Sequence, residues 1–291
     1  MTDLGVRSRR PIAVVGATGR QGGATVRALL GANVPVRALI RRTDSDAARA
    51  LGRLGADLVA ADIDDPAALG AAFAGVDAVF AMTTLGADQR TDLEVRHGHA
   101  IADAATAAGV PHVVYSSVGG AERHTGIPHF ESKRDVEEYF VARGLPTTFV
   151  RPVFFMENFA EFMTPTVQDD TLVVRIPLPA GIPLQMIAVA DVGAVAATAA
   201  LDPGRVAGGS IEIAGDELTG EQIAEAYQRR YDIPARYEAL PSYVLDRNAD
   251  QRAMFEWFAH RPAFRADFAG TRALASGTKT FEQWLATQVD L

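Results

Sequence analysis

The chain has 291 residues, 48% of them hydrophobic, and a formal charge of −8, which suits one large domain or a large domain with a smaller companion. It contains no cysteine, so disulfide frameworks and every Cys-based metal site or nucleophile are excluded. With Asp+Glu 36 against Lys+Arg 28, the field has the wrong sign for a nucleic-acid footprint.

The first residues, "MTDLGVRSRRP", lead only into a short apolar run, and no stretch reaches membrane-spanning length. The expectation is a cytoplasmic protein without membrane contact. From there, apolar strand-like runs alternate with helix-like stretches. The runs are "IAVVG" (12–16), "VPVRALI" (34–40), "ADLVAAD" (56–62), "DAVFAM" (77–82), "HVVYSS" (112–117) and "TTFVRPV" (147–153). Asp64 and Asp65 before Pro66 mark a helix start, and Gly75, Gly109 and Gly144 mark helix ends. Val/Ile-rich strands separated by helices imply an α/β, doubly wound parallel sheet of the Rossmann type, covered on both faces. After residue 153 the rhythm breaks, returns briefly in "VADVGAVAATAAL" and "SIEIAG", and then turns helical and aromatic. The expected division is a nucleotide-binding domain over 8–153 plus about 187–215, with a smaller, interleaved substrate or lid domain over 154–186 and 216–291.

Gly16, Gly19 and Gly22 form G-x-x-G-x-x-G between the first strand and the first helix. Such a turn lets backbone approach a pyrophosphate that rests on the helix N-terminus, where free N–H groups and the helix dipole favour anions. Thr18, Arg20 and Gln21 lie in the same turn and join the expected contacts. A ribose 2′-hydroxyl is ordinarily met by Asp or Glu about 20 residues on. Here the second strand ends in Arg41 and Arg42, which suit a 2′-phosphate, so the expected cofactor is NADP(H). Asp44 is the opposing feature, because a carboxylate reaching back would repel that phosphate. Asp62, closing the third strand run, is counted with the cofactor contacts.

Taken together, "VVGATGRQGG", "RALIRR", "HFESKRDVEEYF", "GLPTTFVRPVFFMENF", "IAVADVGAVAATAA" and "IEIAGDELTGEQIAEA" resemble the NmrA-like group of atypical short-chain dehydrogenases/reductases. The resemblance runs from about residue 11 to the end. It implies the Rossmann fold, NADP(H), and one of two activities. The group includes NADPH-dependent reductases related to quinone and isoflavone reductases, and also proteins that bind NADP(H) as redox sensors.

Ordinary short-chain dehydrogenases carry Tyr-x-x-x-Lys on a helix, the lysine binding the nicotinamide ribose and lowering the tyrosine pKa. At that spacing this chain reads His129-Phe-Glu-Ser-Lys133. Lys133 matches the family lysine, and the resemblance makes it a ribose ligand and a catalytic candidate. His129 stands where tyrosine would and is either a proton relay or a helix-start residue that caps or faces water. Ser116, Ser117 and Val118 compete for the partner serine's slot. Phe154 and Asn158 follow the sixth strand and are pocket candidates or ordinary packing. Phe255, Trp257, Phe258 and Phe264 make a small-domain core or a lid. Asp191 reads as a helix N-cap. His97 and His99 sit two apart on a helix and diverge around its axis, so no metal site is expected.

Two functions follow. One is an NADPH-dependent oxidoreductase that passes hydride to a small apolar or aromatic acceptor such as a quinone or activated enone. The other is an NADP(H)-binding regulator that works through a protein partner without turnover. The expected partners are a small-molecule substrate, with a protein partner or a second copy of the chain also open.

Overall fold

The computed structural model describes residues 10–86, 88–206, 209–260 and 262–288. Residues 8 and 9, 207 and 208, 261, and 289–291, which include parts of the expected domain bounds and one residue of the aromatic stretch, lie outside the described residues.

Six strands, β1 (Ile12–Val14), β2 (Val36–Ile40), β3 (Asp57–Ala60), β4 (Ala78–Met82), β5 (Val113–Ser116) and β6 (Thr147–Pro152), run parallel in the order β3-β2-β1-β4-β5-β6. Between them lie α1 (Arg20–Gly31), α2 (Asp46–Arg53), α3 (Pro66–Phe73), α4 (Thr91–Ala107) and α5 (Pro128–Ala142). The alternation along β1 assigns the layers. Ile12 and Val14 pack with residues of α1 and α2, while Ala13 and Val15 pack with residues of α3, α4 and α5. The central strands β1, β4 and β5 are thereby buried on both sides, which is why their runs read as continuously apolar, whereas β3 at the sheet edge has no fully buried residue. The strand order reverses between β1 and β4, and the crevice at their carboxyl ends is where such sheets bind ligands.

Beyond β6 come β7 (Phe154–Phe155), β8 (Thr166–Gln168), β9 (Thr171–Ile176), β10 (Leu184–Ile187) and α6 (Val189–Leu201). Next, β11 (Ser210–Ile213) returns to the main sheet as its seventh strand, parallel to β6. The rest of the chain forms β12 (Asp216–Leu218), α7 (Gly220–Tyr231), β13 (Ala235–Ala239), α8 (Ala249–Ala259), α9 (Phe268–Leu274) and α10 (Phe281–Leu285). Two three-stranded sheets, β12-β10-β7 and β13-β9-β8, complete the architecture. The segment after residue 153 is therefore richer in strands than its broken apolar rhythm suggests.

Local chemistry accounts for the helix ends. Asp65 caps α3 through Oδ1, which accepts from the N–H groups of Ala67 and Ala68, and Pro66 begins the helix. Thr219 with Gln222 and Thr280 with Gln283 form capping boxes on α7 and α10. Asp191 corrects the sequence reading, since the N-cap of α6 is Ala188 and Asp191 lies within the first turn. The free N–H of Val189 donates instead to both carboxylate oxygens of Glu157, at 3.0 and 3.1 Å. Asp191 is left to accept from the Lys279 backbone N–H at 2.8 Å. Helix α6 lies hard against α1, where a Cβ on Gly193 would fall 2.5 Å from the Ala24 carbonyl carbon.

Candidate functional site

The glycine turn is built by backbone sterics. Gly16 has φ +65°, a left-handed conformation that favours glycine. Gly19 is the N-cap of α1 in extended conformation, its N–H donating to Gly16 O at 2.9 Å. A Cβ on Gly22 would sit 2.3 Å from that same oxygen, so only glycine lets the helix start this close to the turn. Thr18, Gly19 and Arg20 are exposed, and the first turn of α1 contains no acidic residue. The N–H groups at this end of the helix thus face a space open to an anion. Gln21 turns back to the sheet, its Oε1 accepting from Ser116 Oγ at 2.6 Å. Arg20 pairs with Glu161, which draws the segment after β7 to the lip of the turn.

At the end of β2, Arg41 and Arg42 are both exposed. Arg42 Nε lies 3.1 Å from Asp44 Oδ1, and this hydrogen bond holds the Asp44 carboxyl below its usual range. Asp44 therefore engages Arg42 and leaves Arg41 without an ion-pair partner among the described residues. Asp62 is exposed one strand over, its Oδ1 accepting from Asp64 N–H at 3.1 Å.

Past β4, the chain meets α5. Lys133 Nζ donates to Thr83 O at 2.9 Å, to Thr83 Oγ1 at 3.2 Å and to Glu94 Oε1 at 2.7 Å. Its side chain is 13% exposed and that of Glu94 only 1%. Ser132 Oγ donates to Glu94 Oε2 at 2.6 Å and Thr83 Oγ1 to Glu94 Oε1 at 3.1 Å. Because the Thr83 hydrogen goes to Glu94, the Tyr115 hydroxyl, 2.7 Å away, must donate to Thr83 Oγ1. Burial pushes the Tyr115 phenol up to about 12. Burial alone would raise the Glu94 carboxyl, but the Lys133 charge and the bonds from Lys133, Ser132 and Thr83 outweigh it and hold it low. Burial alone would lower Lys133; Tyr115 and Glu94 reverse that. Since the phenol stays neutral, the charge that acts on the ammonium at neutral pH is that of Glu94.

The register of this cluster comes from helix packing. Gly98 on α4 meets Val136 on α5 so closely that a Cβ would fall 2.3 Å from Val136 Cγ2. One turn earlier on each helix stand Glu94 and the Ser132–Lys133 pair, brought face to face by that contact. Composition and motif reading missed Glu94, Thr83, Ser132 and Tyr115. A signal existed, because Glu94, Gly98, Ile101 and Ala105 are buried at helical spacing on α4, and a carboxylate on such a stripe is seldom idle.

The other candidates lie at differing distances from this arrangement. His129 starts α5, with its N–H donating to Asp250 Oδ1 at 2.9 Å. Its Nδ1 is 2.6 Å from Asp250 Oδ2, at ion-pair distance without hydrogen-bond alignment. Burial would raise the Asp250 carboxyl, but the close approach of the His129 ring and the bond from its backbone N–H hold it below its usual range. His129 is thus tied to α8 rather than facing water. Phe154, 7% exposed, packs its ring edge against Phe159, Phe255 and Phe258, and Phe255, Phe258 and Phe264 are themselves buried. Asn158 is half-buried, and its side-chain amide has no hydrogen-bond partner among the described residues. Ser117, one residue past β5, has a buried hydroxyl with no hydrogen-bond partner among the described residues. Among the described residues no His, Cys, Asp or Glu group is arranged to hold a metal, and no helix is long and apolar enough to cross a membrane.

The shape is shared with solved proteins. NmrA, a negative transcriptional regulator crystallised with NAD, superposes with a TM-score of 0.83 at 24% identity, covering 97% of this chain and 95% of that one. The NADPH-dependent quinone oxidoreductase QOR2 of Escherichia coli, crystallised with NADPH, gives 0.76 at 22%, covering 94% and 98%. At these identities the likeness establishes the fold. In sequence, the chain is 33% identical over 229 residues to the NAD(P)H azoreductase of Xenophilus azovorans, covering 79% of this chain and 77% of that protein. It is 31% identical to the NmrA-like family domain-containing oxidoreductase FrzB of Cladobotryum sp, covering 94% of each. The NmrA-like family model matches residues 8–285, and the chain belongs to that family.

Proposed function

We propose that this protein is an NADPH-dependent oxidoreductase that passes hydride to a small apolar or aromatic acceptor, such as a quinone or activated enone. The observation that carries the reading is the placement of one buried, charged lysine at the carboxyl edge of β4, beside an exposed glycine turn that opens α1. The turn fits a dinucleotide: Gly22, where a Cβ would strike Gly16 O, lets α1 start close to the turn, and the free N–H groups at the helix start suit a pyrophosphate. Arg41, exposed and without an ion-pair partner among the described residues, suits a 2′-phosphate. Lys133 would hold the nicotinamide ribose. When bound, NADPH supplies the hydride.

The acceptor class follows from the proton inventory. Reduction of an isolated ketone makes an alkoxide that needs a placed acid. Here His129 is engaged with Asp250, Tyr115 is fully buried and Lys133 already gives three hydrogen bonds. A quinone or enone yields a stabilised anion that takes its proton from solvent. The named activities of the azoreductase and FrzB support an oxidoreductase. The test is NADPH oxidation, followed by absorbance, with menadione, an aryl enone, an azo dye and a simple ketone. Turnover with the first three above the ketone is expected. Tight NADPH binding with no acceptor-dependent oxidation would replace this reading with that of a redox sensor.

A further inference from the structure

We propose that Glu94 is the positioning residue of this site, holding the Lys133 ammonium charged and aimed at the carboxyl edge of β4. The inference rests on the cofactor reading above and adds to it the group that keeps the lysine in its working state. Glu94 is a carboxylate with a side chain 1% exposed, at the N-terminal end of an otherwise small and apolar stripe on α4. Such a group is tolerated only when every oxygen is engaged. Three donors from two parts of the chain converge on it: Lys133 and Ser132 from α5 and Thr83 from just past the end of β4. Tyr115 completes the arrangement by donating to Thr83 Oγ1, which frees the Thr83 hydrogen for Glu94. Each proton in the network then has one place. Lys133, at 13% exposure, would surrender its proton readily in apolar surroundings without a carboxylate beside it. With Glu94 at 2.7 Å it stays charged. Thr83 O sets its direction. The 3.2 Å bond to Thr83 Oγ1 is the longest of the three and the one that a ribose hydroxyl would displace with least loss.

Sequence composition makes this directly measurable. Lys133 and Lys279 are the only lysines in the chain, so protein grown with ¹³C-lysine gives two side-chain signals to follow against pH. Glu94→Gln is suited to the test because the network can re-form around it. The amide oxygen can accept from Lys133 and Thr83, while its NH₂ donates to Ser132 Oγ. Ser132 then turns its hydrogen to His129 O, already 3.1 Å away.

The expected result in Glu94→Gln is a fall in the Lys133 titration midpoint of about one unit or more, with Lys279 unmoved. Glu94→Asp should recover part of the fall. The alkaline limb of kcat/KM for quinone reduction should move down with the midpoint, whereas a merely structural role would lower the rate evenly at all pH. If Lys133 titrates in Glu94→Gln as in the wild type, the inference is overturned whatever the rates do. A wild-type Lys133 midpoint below the ordinary lysine value of 10.5 overturns it without any variant. If the midpoint falls in Glu94→Gln but the wild type oxidises no NADPH with any acceptor, Glu94 keeps its role and the oxidoreductase reading fails.

Discussion

The glycine turn and the lysine cluster sit at the same edge of one sheet but are built by opposite means. The turn is made of backbone: a left-handed Gly16, an extended Gly19, and a Gly22 whose missing Cβ admits the helix. All of it lies within seven consecutive residues. The lysine cluster is made of side chains from β4, β5, α4 and α5, with Thr83 and Lys133 fifty residues apart. A turn of the first kind tolerates almost any neighbour but fails where a Cβ is added at its closest contact, Gly22 against Gly16 O. A cluster of the second kind tolerates backbone change but loses its balance when one charge is removed. Substitutions should therefore fail differently in the two places.

The largest effect is expected at the cluster. Lys133→Met leaves Glu94 buried without its counter-charge and should cost about 3–5 kcal/mol of stability near neutral pH, together with most of the acceptor-dependent rate. The pH dependence has a definite sign. Glu94 is held below its ordinary 4.5, so its share of the stability is present above that value and is lost as pH falls through the lowered one. Lys133 is held above its ordinary 10.5, so its share is present below that value and is lost as pH rises through the raised one. Urea unfolding of both proteins should show the widest gap between those two limits and a narrower one beyond either. An equal gap at all pH would mean that the lysine contributes packing alone.

At the turn, Gly22→Val forces a Cβ to within 2.3 Å of Gly16 O, backbone against backbone, and should cost about 3 kcal/mol as well as all measurable NADPH affinity. Gly19→Val is the sharper tool. Its Cβ would lie 3.2 Å from the same oxygen, so the fold should survive while both NADPH and NADH are lost. Retained binding would show the turn to be structural only. Arg41→Ala should weaken NADPH by roughly tenfold and leave NADH unchanged. Arg42→Ala should do less, because Arg42 is already shared with Asp44. Calorimetric titration of both nucleotides decides between the two arginines. The smallest catalytic effect is expected at His129. Because it ties α5 to Asp250 on α8, His129→Asn should lower stability by about 1 kcal/mol and change the rate less than about threefold. A hundredfold loss of rate would make it a general acid after all.

What could be read from the sequence divides along the same line. The parallel sheet, its helices and the glycine turn are written in local patterns, namely Val/Ile runs, caps and glycine spacing, and the strand bounds agree to within two residues for β1 to β6. Lys133 was legible because a family pattern names it. Glu94 and Tyr115 were not, because their roles exist only once Gly98 brings α4 onto α5. Helix α6 was placed but its cap was misassigned to Asp191, since Glu157 supplies the cap from another part of the chain. The ring of Phe154 packs against α8, a long-range contact that no single run of residues announces.

The measurement that tests the account most directly is a crystal structure of the protein with NADPH. The pyrophosphate is expected on the N–H groups at the start of α1, the 2′-phosphate on Arg41, and Lys133 Nζ within about 3.2 Å of a nicotinamide-ribose hydroxyl while still bonded to Glu94. A dinucleotide seated elsewhere, or one at the turn whose nicotinamide ribose leaves Lys133 untouched, would contradict it.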